Sequence, residues 1–274
     1  MDISVMVFPF HQMISSGKMS VEKFLEELAK AGVTGLETML SWETSDPTNW
    51  LKLRDMARDL GMKQTAYDIG LNLVCQTADI KKKTLENAKK HIAFCREQLD
   101  CDIAMIYSSK PSEGMDKEEA IKIFGDVLAE VSEIAEPYGI TACIEDFDPV
   151  PDFVCSADSC LKVLSRAPKA GLAFDTGNFL IADDDPVEIF PRLKHLIRHI
   201  HAKEKRLLSD GVKGQASLAG KMFENTEFGK GNARIAEVVE LLKGIGYNGA
   251  LSIEAFGGFD EVLADARFLS RCLA

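Results

Sequence analysis

The sequence is short of basic residues and of histidine. Its 274 residues include 32 Lys and Arg against 43 Asp and Glu, a formal net charge of −11, and only five His. Binding through phosphate groups needs clustered basic side chains, so this balance argues against a nucleic-acid partner. No apolar run reaches the length of a membrane span, and no basic segment precedes the short apolar run at the N-terminus. We therefore expect a cytoplasmic protein with no signal peptide and no membrane partner.

The sequence also lacks a disulfide framework and a phosphate-binding glycine motif. Its seven cysteines form no CxxC pair, and an odd number fits no complete set of disulfides. Buried thiols in a reducing compartment are the expectation. The first apolar segment is not followed by the glycine-rich turn of a dinucleotide-binding sheet. These absences exclude a small disulfide-stabilised fold and argue against an open nucleotide-binding sheet.

What the sequence does contain is a regular alternation of short apolar runs and longer helical patterns. Such alternation is typical of a parallel sheet, because each crossover returns the chain to the same edge. With a length close to the roughly 250 residues of one (β/α)₈ barrel, it predicts a single TIM-barrel domain over residues 1–274. The eight predicted strands are Ile3–Phe8, Gly35–Met39, Lys63–Asp68, Ile103–Tyr107, Thr141–Phe147, Leu172–Asp175, Ile197–Ala202 and Ala250–Ala255.

Apolar residues at three- and four-residue spacing predict the helices between these strands. They are Val21–Ala31, Thr48–Leu60, Asp79–Leu99, Lys117–Tyr138, Ala157–Ser165, Pro186–His195, Asn232–Ile245 and Phe259–Leu273. Ser20 and Asp185 stand at the positions of N-terminal caps. The irregular stretch Lys203–Gly231 is too long for a simple loop, and we expect it to be a lid or specificity loop.

Four consecutive predicted strands end in residues that bind metal ions. The phrases CIEDF, FDTGNF, HIHAKE and LSIEAF place Glu145, Asp175, His201 and Glu254 at or near the carboxyl ends of strands five to eight. In a closed barrel these ends converge on one small area. Three carboxylates and one imidazole suit Mn²⁺ first, with Mg²⁺, Co²⁺ and Zn²⁺ as alternatives. His199 faces the same way as His201 but lies deeper, so we expect it to be an interior histidine.

The same four phrases resemble strands five to eight of the xylose isomerase-like TIM barrels, the sugar phosphate isomerase/epimerase family. The resemblance implies that Glu145, Asp175, His201 and Glu254 hold one divalent ion, with Glu145 and Glu254 as the acid–base pair. A metal ion stabilises the enediolate that remains when a carbon-bound proton leaves. Returning the proton to the other face is epimerisation, and returning it to the neighbouring carbon is isomerisation. Loss of a β-hydroxyl from the same intermediate makes a dehydratase.

The sequence departs from the ketose 3-epimerases of that family at sugar-contacting positions. Pro151 stands where they place a glutamate and Asn178 where they place a histidine, while Arg206 matches their arginine after the metal-binding histidine. Lys203 and Asn178 are therefore substrate-binding candidates together with Arg206. Nearer the N-terminus, the candidates for lining a sugar pocket are His11, Glu37, Trp42, Tyr67 and Tyr107.

The sequence predicts a metal-dependent isomerase or epimerase of a small sugar-like substrate and leaves several alternatives open. An inosose-type dehydratase would use the same metal site. A non-catalytic sugar-binding barrel is a second alternative, since a fold does not determine a function. An endonuclease IV-like DNA-repair nuclease is disfavoured by the five histidines and the acidic charge. The particular substrate and any homo-oligomeric assembly are not determined at this level.

Overall fold

The fold is known from a computed structural model, which describes residues 1–39, 47–108 and 110–274. The side chains of residues 47–51 and 108 are not part of that description. Trp42, a candidate from the sequence, lies outside the described residues.

Eight parallel strands close into one barrel, which confirms the predicted fold class. Neighbouring strands around the barrel follow the chain order, and the last strand pairs with the first to complete the closure. The barrel strands are Asp2–Met6 (β1), Gly35–Met39 (β2), Lys63–Leu71 (β3), Ile103–Ser108 (β4), Thr141–Glu145 (β5), Gly171–Asp175 (β6), Ile197–Ala202 (β7) and Ala250–Ile253 (β11).

The helices form a layer around the barrel. They are His11–Ser15 (α1), Val21–Lys30 (α2), Pro47–Asp59 (α3), Ala78–Glu97 (α4), Lys117–Ala135 (α5), Ala157–Arg166 (α6), Pro186–Leu193 (α7), Ile235–Gly244 (α8) and Phe259–Leu273 (α9). Short 3₁₀ helices lie at Phe8–Phe10, Glu136–Tyr138 and Asn178–Ala182. None of the described helices is both long and apolar enough to cross a membrane.

Local sequence signals determine where several helices begin and end. The Ser20 hydroxyl accepts a hydrogen bond from the backbone N–H of Lys23, and Asp185 caps α7 through Val187 and Glu188, as predicted. The helix predicted to reach Tyr138 ends instead at Ala135 and tightens into a 3₁₀ turn. Pro137 explains this end, because proline has no N–H for the α-helical hydrogen bond.

The helical layer packs on the barrel through fully buried apolar side chains. On α2 these are Phe24, Leu25 and Leu28, which lie on one face of the helix and are fully shielded from solvent. Burying one such side chain contributes roughly 1.5–3 kcal/mol. This packing fixes the strands, and the strands in turn fix the side chains at their carboxyl ends.

The irregular stretch after β7 contains a small antiparallel sheet. Its strands are Lys205–Leu207 (β8), Gln215–Ala216 (β9) and Met222–Asn225 (β10), with β10 in the centre. The chain then returns to the barrel through a loop held by the buried carboxylate of Glu204, which accepts hydrogen bonds from the backbone N–H groups of Gly229 and Ala233. The insertion is thus a structured element attached to the end of β7.

The same returning loop is held by a second buried carboxyl group, that of Asp265 on α9. One of its oxygens accepts a hydrogen bond from the Phe228 N–H at 2.9 Å, and the other has no hydrogen-bond partner among the described residues. Burial, only partly offset by that hydrogen bond, raises the pKa of Asp265 from an ordinary 3.8 to about 7. The folded chain therefore retains a proton that the unfolded chain releases at lower pH, and this contribution to stability is lost as the pH rises from 3.8 through about 7.

We expect Asp265→Asn, which keeps an oxygen acceptor and carries no charge, to be more stable than the parent protein above pH 7. Relative to the parent, its free energy of unfolding should rise by about 1–3 kcal/mol between pH 5 and pH 8. Urea unfolding at the two pH values measures this difference. Asp260→Asn removes an exposed charge from the same helix and is the matched control. An equal gain at both pH values would show that the Asp265 carboxyl does not titrate in this range.

Candidate active site

The carboxyl ends of four barrel strands bring Glu145, Asp175, His201 and Glu254 together. Glu145 and Asp175 are the last residues of β5 and β6, His201 is the penultimate residue of β7, and Glu254 directly follows β11. One potential ligand atom from each side chain lies within 4.8 Å of those of the others. We refer to these four residues as the quartet. The sequence predicted that they converge, and the structure shows them in one place.

The imidazole of His201 is oriented toward the three carboxylates. Its Nδ1 atom lies 2.7 Å from Oε1 of Glu145, 3.8 Å from Oε2 of Glu254 and 4.0 Å from Oδ2 of Asp175. Burial opposes a charge on this ring, but the carboxylates of Glu37 and Glu145 raise the pKa of His201 well above its usual value. One ring nitrogen therefore points into a cluster of oxygen atoms.

Hydrogen bonds from the backbone fix the carboxylate of Asp175. Its Oδ1 atom accepts from the N–H groups of Gly177 and Asn178 at 2.7 and 2.8 Å. The neighbouring Asp146 accepts from the N–H of Asp175 at 2.8 Å and so orients the strand end. Oδ2 of Asp175 is left to face the quartet.

Two buried oxygens of the quartet lack a well-aligned hydrogen-bond donor among the described residues. They are Oδ2 of Asp175 and Oε2 of Glu254. The ammonium of Lys203 is close to both, at 3.2 and 2.7 Å, without the alignment of a hydrogen bond. Three carboxylates concentrated in a buried site are costly unless a cation compensates them. The oxygen-rich donor set with one imidazole fits a divalent ion, and these two oxygens are among the atoms that would bind it.

Behind the quartet, Glu37 connects the two histidines of β7. Its Oε1 atom lies 2.9 Å from Nε2 of His201, and its Oε2 atom lies 2.9 Å from Nε2 of His199. Burial alone would raise the pKa of Glu37, but the two imidazoles hold that pKa well below its usual value. His199 is thus a buried, hydrogen-bonded interior histidine, as predicted. Glu37, a pocket-lining candidate in the sequence, instead lies on the far side of His201 from the quartet.

Asp68 on β3 is a further buried side chain next to Glu37 and His201. Burial, and then the adjacent charge of Glu37, raise the pKa of Asp68 well above its usual value. Neither carboxyl oxygen of Asp68 has a hydrogen-bond donor among the described residues. This is expected if Asp68 and Glu37 are both ionised, because two carboxylates can only accept hydrogen bonds. A protonated Asp68 resolves this conflict, because its O–H can donate to Glu37.

A cavity of about 450 Å³ opens above the quartet, within the range of small-molecule sites. Glu145 and Glu254 reach it, as do the candidates Tyr107, Asn178 and Lys203. The Lys203 ammonium donates a hydrogen bond to Oδ1 of Asn178 at 2.9 Å and lies 5.5 Å from the ring centre of Phe256. The other described residues of the lining are Met6, Phe8, Met39, Met105, Phe147, Asp148, Pro149, Lys205, Gln215, Asn225 and Phe256.

Three substrate-binding candidates from the sequence are not among the described residues of this lining. Tyr67 is fully buried on the opposite side of β3 from Asp68, with its ring against Phe94 and its hydroxyl 3.4 Å from a ring nitrogen of His91. His11 begins α1, outside the lining. The position of Tyr67 corrects the expectation for that residue, whereas a contact between His11 and a substrate stays a prediction. In the case of Tyr67 the reason is the alternation of side chains along a strand, which sends it outward to the helices.

Arg206 is corrected for the same reason. It is exposed on β8 and pairs with Glu224 of β10, whereas the preceding residue, Lys205, is buried and faces the cavity. Lys205 and its neighbours Asp148, Gln215 and Asn225 were not among the candidates from the sequence. The HAKEK phrase, in which two lysines alternate with a glutamate, was the one signal for Lys205.

Comparison with known proteins assigns the family. Residues 25–272 match the family model described as xylose isomerase-like TIM barrel. The chain belongs to this family. The closed barrel agrees with this assignment, and proteins similar to the chain include an epimerase, a dehydratase and a sugar phosphate isomerase/epimerase.

Two curated relatives match parts of the chain. An uncharacterized protein of Methanocaldococcus jannaschii is 28% identical over 201 residues, 67% of this chain and 60% of that protein. An inosose dehydratase of Lacticaseibacillus casei is 31% identical over 101 residues, 35% of this chain and 33% of that protein. The matches thus span about 60% and a third of the relatives' own lengths.

Solved structures resemble nearly the whole chain. A probable 3-DHS dehydratase from Bacillus anthracis superposes with a TM-score of 0.78 at 16% identity, covering 98% of this chain and 99% of that one. D-psicose 3-epimerase from Clostridium cellulolyticum gives a TM-score of 0.76 at 19% identity, covering 99% and 98%. The IOLI protein with a bound zinc atom gives 0.73 at 17% identity, covering 99% and 95%. At these identities the likeness shows the fold.

Proposed function

We propose that this chain is a divalent-metal-dependent isomerase or epimerase of a small ketose or related hydroxy-carbonyl compound. Glu145, Asp175, His201 and Glu254 would hold one ion, with Mn²⁺ the best match to their oxygen-rich set and Zn²⁺, Mg²⁺ and Co²⁺ as alternatives. When bound, the ion supplies Lewis-acid stabilisation of the negative charge that develops as a carbon-bound proton leaves.

One observation carries the proposal: the quartet divides into two accessible and two inaccessible members. Glu145 and Glu254 line the cavity and are 8% and 7% exposed, whereas Asp175 and His201 are completely buried. A group that exchanges protons with a substrate must reach the reacting carbon. The two glutamates meet this condition and are the acid–base pair in our proposal, while Asp175 and His201 serve as ligands only.

The remaining candidates have positioning roles in this proposal. Lys203, held against Asn178, presents an ammonium group at the cavity wall where it can donate to a substrate oxygen. Tyr107 presents an aromatic ring from the carboxyl end of β4, on which the apolar face of a sugar can pack. Together with the acid–base pair they hold the carbonyl and its neighbouring hydroxyl near the two glutamates.

A dehydratase is the second candidate function. The match to the inosose dehydratase and the structural likeness to the probable 3-DHS dehydratase favour it. The first step would be the same proton removal by Glu145 or Glu254, after which a β-hydroxyl leaves as water. The same residues therefore serve both candidates, and the product distinguishes them.

Solvent isotope exchange tests both candidates. The Mn²⁺-loaded protein is incubated in deuterium oxide with a panel of ketoses and inososes, and each compound is examined by NMR and mass spectrometry. We expect deuterium at the carbon next to the carbonyl of at least one compound, with conversion to an isomer or epimer. Exchange followed by loss of water would instead assign the dehydratase. Absence of exchange across the panel at full metal occupancy would contradict the proposal and favour a non-catalytic sugar-binding barrel.

A further inference from the structure

A second polar cluster lies in the cavity wall, next to the quartet but separate from it. Lys205, Gln215 and Asn225 come from the three strands of the antiparallel insertion, and Asp148 comes from the loop after β5. We call these four residues the wall cluster. The wall cluster lines the same cavity as Glu145 and Glu254 of the quartet.

The ammonium of Lys205 is fully engaged within the wall cluster. It is 3% exposed and lies 2.7 Å from Oε1 of Gln215, 3.1 Å from Oδ1 of Asn225 and 3.1 Å from Oδ2 of Asp148. Three acceptors match the three N–H groups of an ammonium. The amide of Gln215 also donates to Oδ2 of Asp148 at 2.9 Å. The cluster is therefore a connected hydrogen-bond network around one buried ammonium group.

Some polar atoms of the wall cluster stay free for a ligand. Oδ1 of Asp148 and the amide N–H groups of Asn225 make no hydrogen bond to another residue of the described chain. One is an acceptor and the other a donor, and both side chains line the cavity. A hydroxyl group, which both donates and accepts, is the chemical group that satisfies such a pair.

The cavity has no uncommitted positive charge for an anionic ligand. Lys203 and Lys205 are the basic residues of the described lining, and each is paired with carboxylates. Residues 40–46 and 109, outside the described part, contain no lysine or arginine in the sequence. Formally, a divalent ion and Lys203 would balance the three carboxylates of the quartet, and Asp148 balances Lys205. A phosphate monoester would therefore meet the carboxylate of Asp148 without a free cation to bind it.

Apart from the quartet, Lys203, Asn178 and the wall cluster, the described lining of the cavity is largely apolar. Phe8 and Phe256 pack edge to face with ring centres 5.9 Å apart, and Phe147 and Met105 also line the cavity. Such a wall accommodates the C–H face of a sugar or cyclitol ring. A ligand with one apolar face matches this aromatic surface, and hydroxyl groups at the end away from the quartet match the wall cluster.

We propose that Asp148, Lys205, Gln215 and Asn225 form a hydroxyl-binding subsite that selects uncharged polyhydroxylated substrates, ketoses or cyclitol ketones, over phosphorylated ones. This inference rests on the proposed function for the identity of the reacting end, which the quartet binds. The wall cluster contacts the part of the substrate beyond the reacting carbons, and the insertion after β7 is the element that determines specificity.

Equilibrium binding of two matched probes, D-fructose and D-fructose 6-phosphate, to the Mn²⁺-loaded protein tests the subsite. We expect calorimetry to show D-fructose binding at least about tenfold more tightly than its phosphate. In Asp148→Asn, which keeps the shape and an oxygen acceptor, Lys205 loses its counter-charge. We expect this variant to shift the preference toward the phosphate by about tenfold or more, a gain that unfolding cannot imitate.

Glu224→Gln is the matched control, since it removes the same charge from the exposed, Arg206-paired side of the same small sheet. Its preference should equal that of the parent protein. Tighter binding of the phosphate by the parent, no binding of either probe, or an unchanged preference in Asp148→Asn would each overturn the proposal. The measurement does not depend on turnover. Missing proton exchange with a retained preference for D-fructose would therefore refute the proposed reaction and leave the subsite standing.

Discussion

Replacing Glu254 by Gln is expected to lower the rate of solvent-proton exchange into the substrate by about 10²–10⁴-fold. The amide has nearly the same shape and keeps an oxygen toward the quartet, but it cannot accept and return a proton. The same loss is expected for Glu145→Gln, since both glutamates reach the cavity. The exchange rate is measured by NMR in deuterium oxide at saturating Mn²⁺.

Two checks separate this loss of chemistry from a loss of metal or of the fold. Manganese occupancy of each variant is measured by electron paramagnetic resonance, and rates are compared at equal occupancy. Glu224→Gln changes the same functional group on an exposed strand and should exchange at the parent rate. Parent-level exchange by either Glu145→Gln or Glu254→Gln at full occupancy would refute its role in the acid–base pair.

Replacing Glu37 by Gln is expected to weaken Mn²⁺ binding by about 10–100-fold, although Glu37 does not face the cavity. Glu37 accepts from the Nε2 atoms of both His201 and His199, so two donors share one carboxylate. Because Glu37 holds a proton on Nε2 of His201, Nδ1 is the ring nitrogen that would bind a metal ion. A glutamine offers one acceptor and one donor, so one of the imidazoles must lose its hydrogen bond or change tautomer.

Manganese titrations of the parent and of Glu37→Gln measure this positioning role. The electron paramagnetic resonance signal of bound Mn²⁺ should also change, because the orientation of the imidazole changes. A purely structural effect of the substitution would lower thermal stability without changing this signal. Glu240→Gln, an exposed position paired with Lys243, is the control and should bind as the parent does. Unchanged affinity in Glu37→Gln would show that the second ring nitrogen of His201 does not influence the metal site.

The barrel and the quartet were predictable from the sequence because both depend on short-range patterns. Alternating strand and helix periods predict a parallel sheet, and the closure of that sheet brings strand ends together. Glu145, Asp175, His201 and Glu254 each stand at the end of an apolar run, so their convergence follows from the fold alone.

The wall of the cavity was not predictable in the same way. On β8 the choice between Lys205 and Arg206 depends on which face of a three-residue strand meets the barrel, and only the pairing with β10 determines it. The same one-residue ambiguity misplaced Tyr67, whose neighbour Asp68 points inward. Side chains alternate between faces along a strand, so an error of one residue reverses the side.

The role of Glu37 was hidden for a different reason. Its position on β2 is visible in the sequence, but its partners come from β7, which is not adjacent to β2 in the barrel. Contacts across a barrel interior depend on side-chain length and on neighbours from several strands. No local pattern in the sequence encodes them, and only the folded structure reveals that Glu37 supports His201 rather than lining the cavity.

Binding of Mn²⁺ to the parent protein and to Asp175→Asn tests the central claim most directly, because every proposed step depends on the quartet holding one ion. Asp175 does not reach the cavity, so its substitution should act on the metal and leave the cavity lining unchanged. We predict one tightly bound Mn²⁺ per parent chain and strongly weakened binding in the variant. A parent protein that binds no Mn²⁺, or a variant that binds it equally well, would contradict the account.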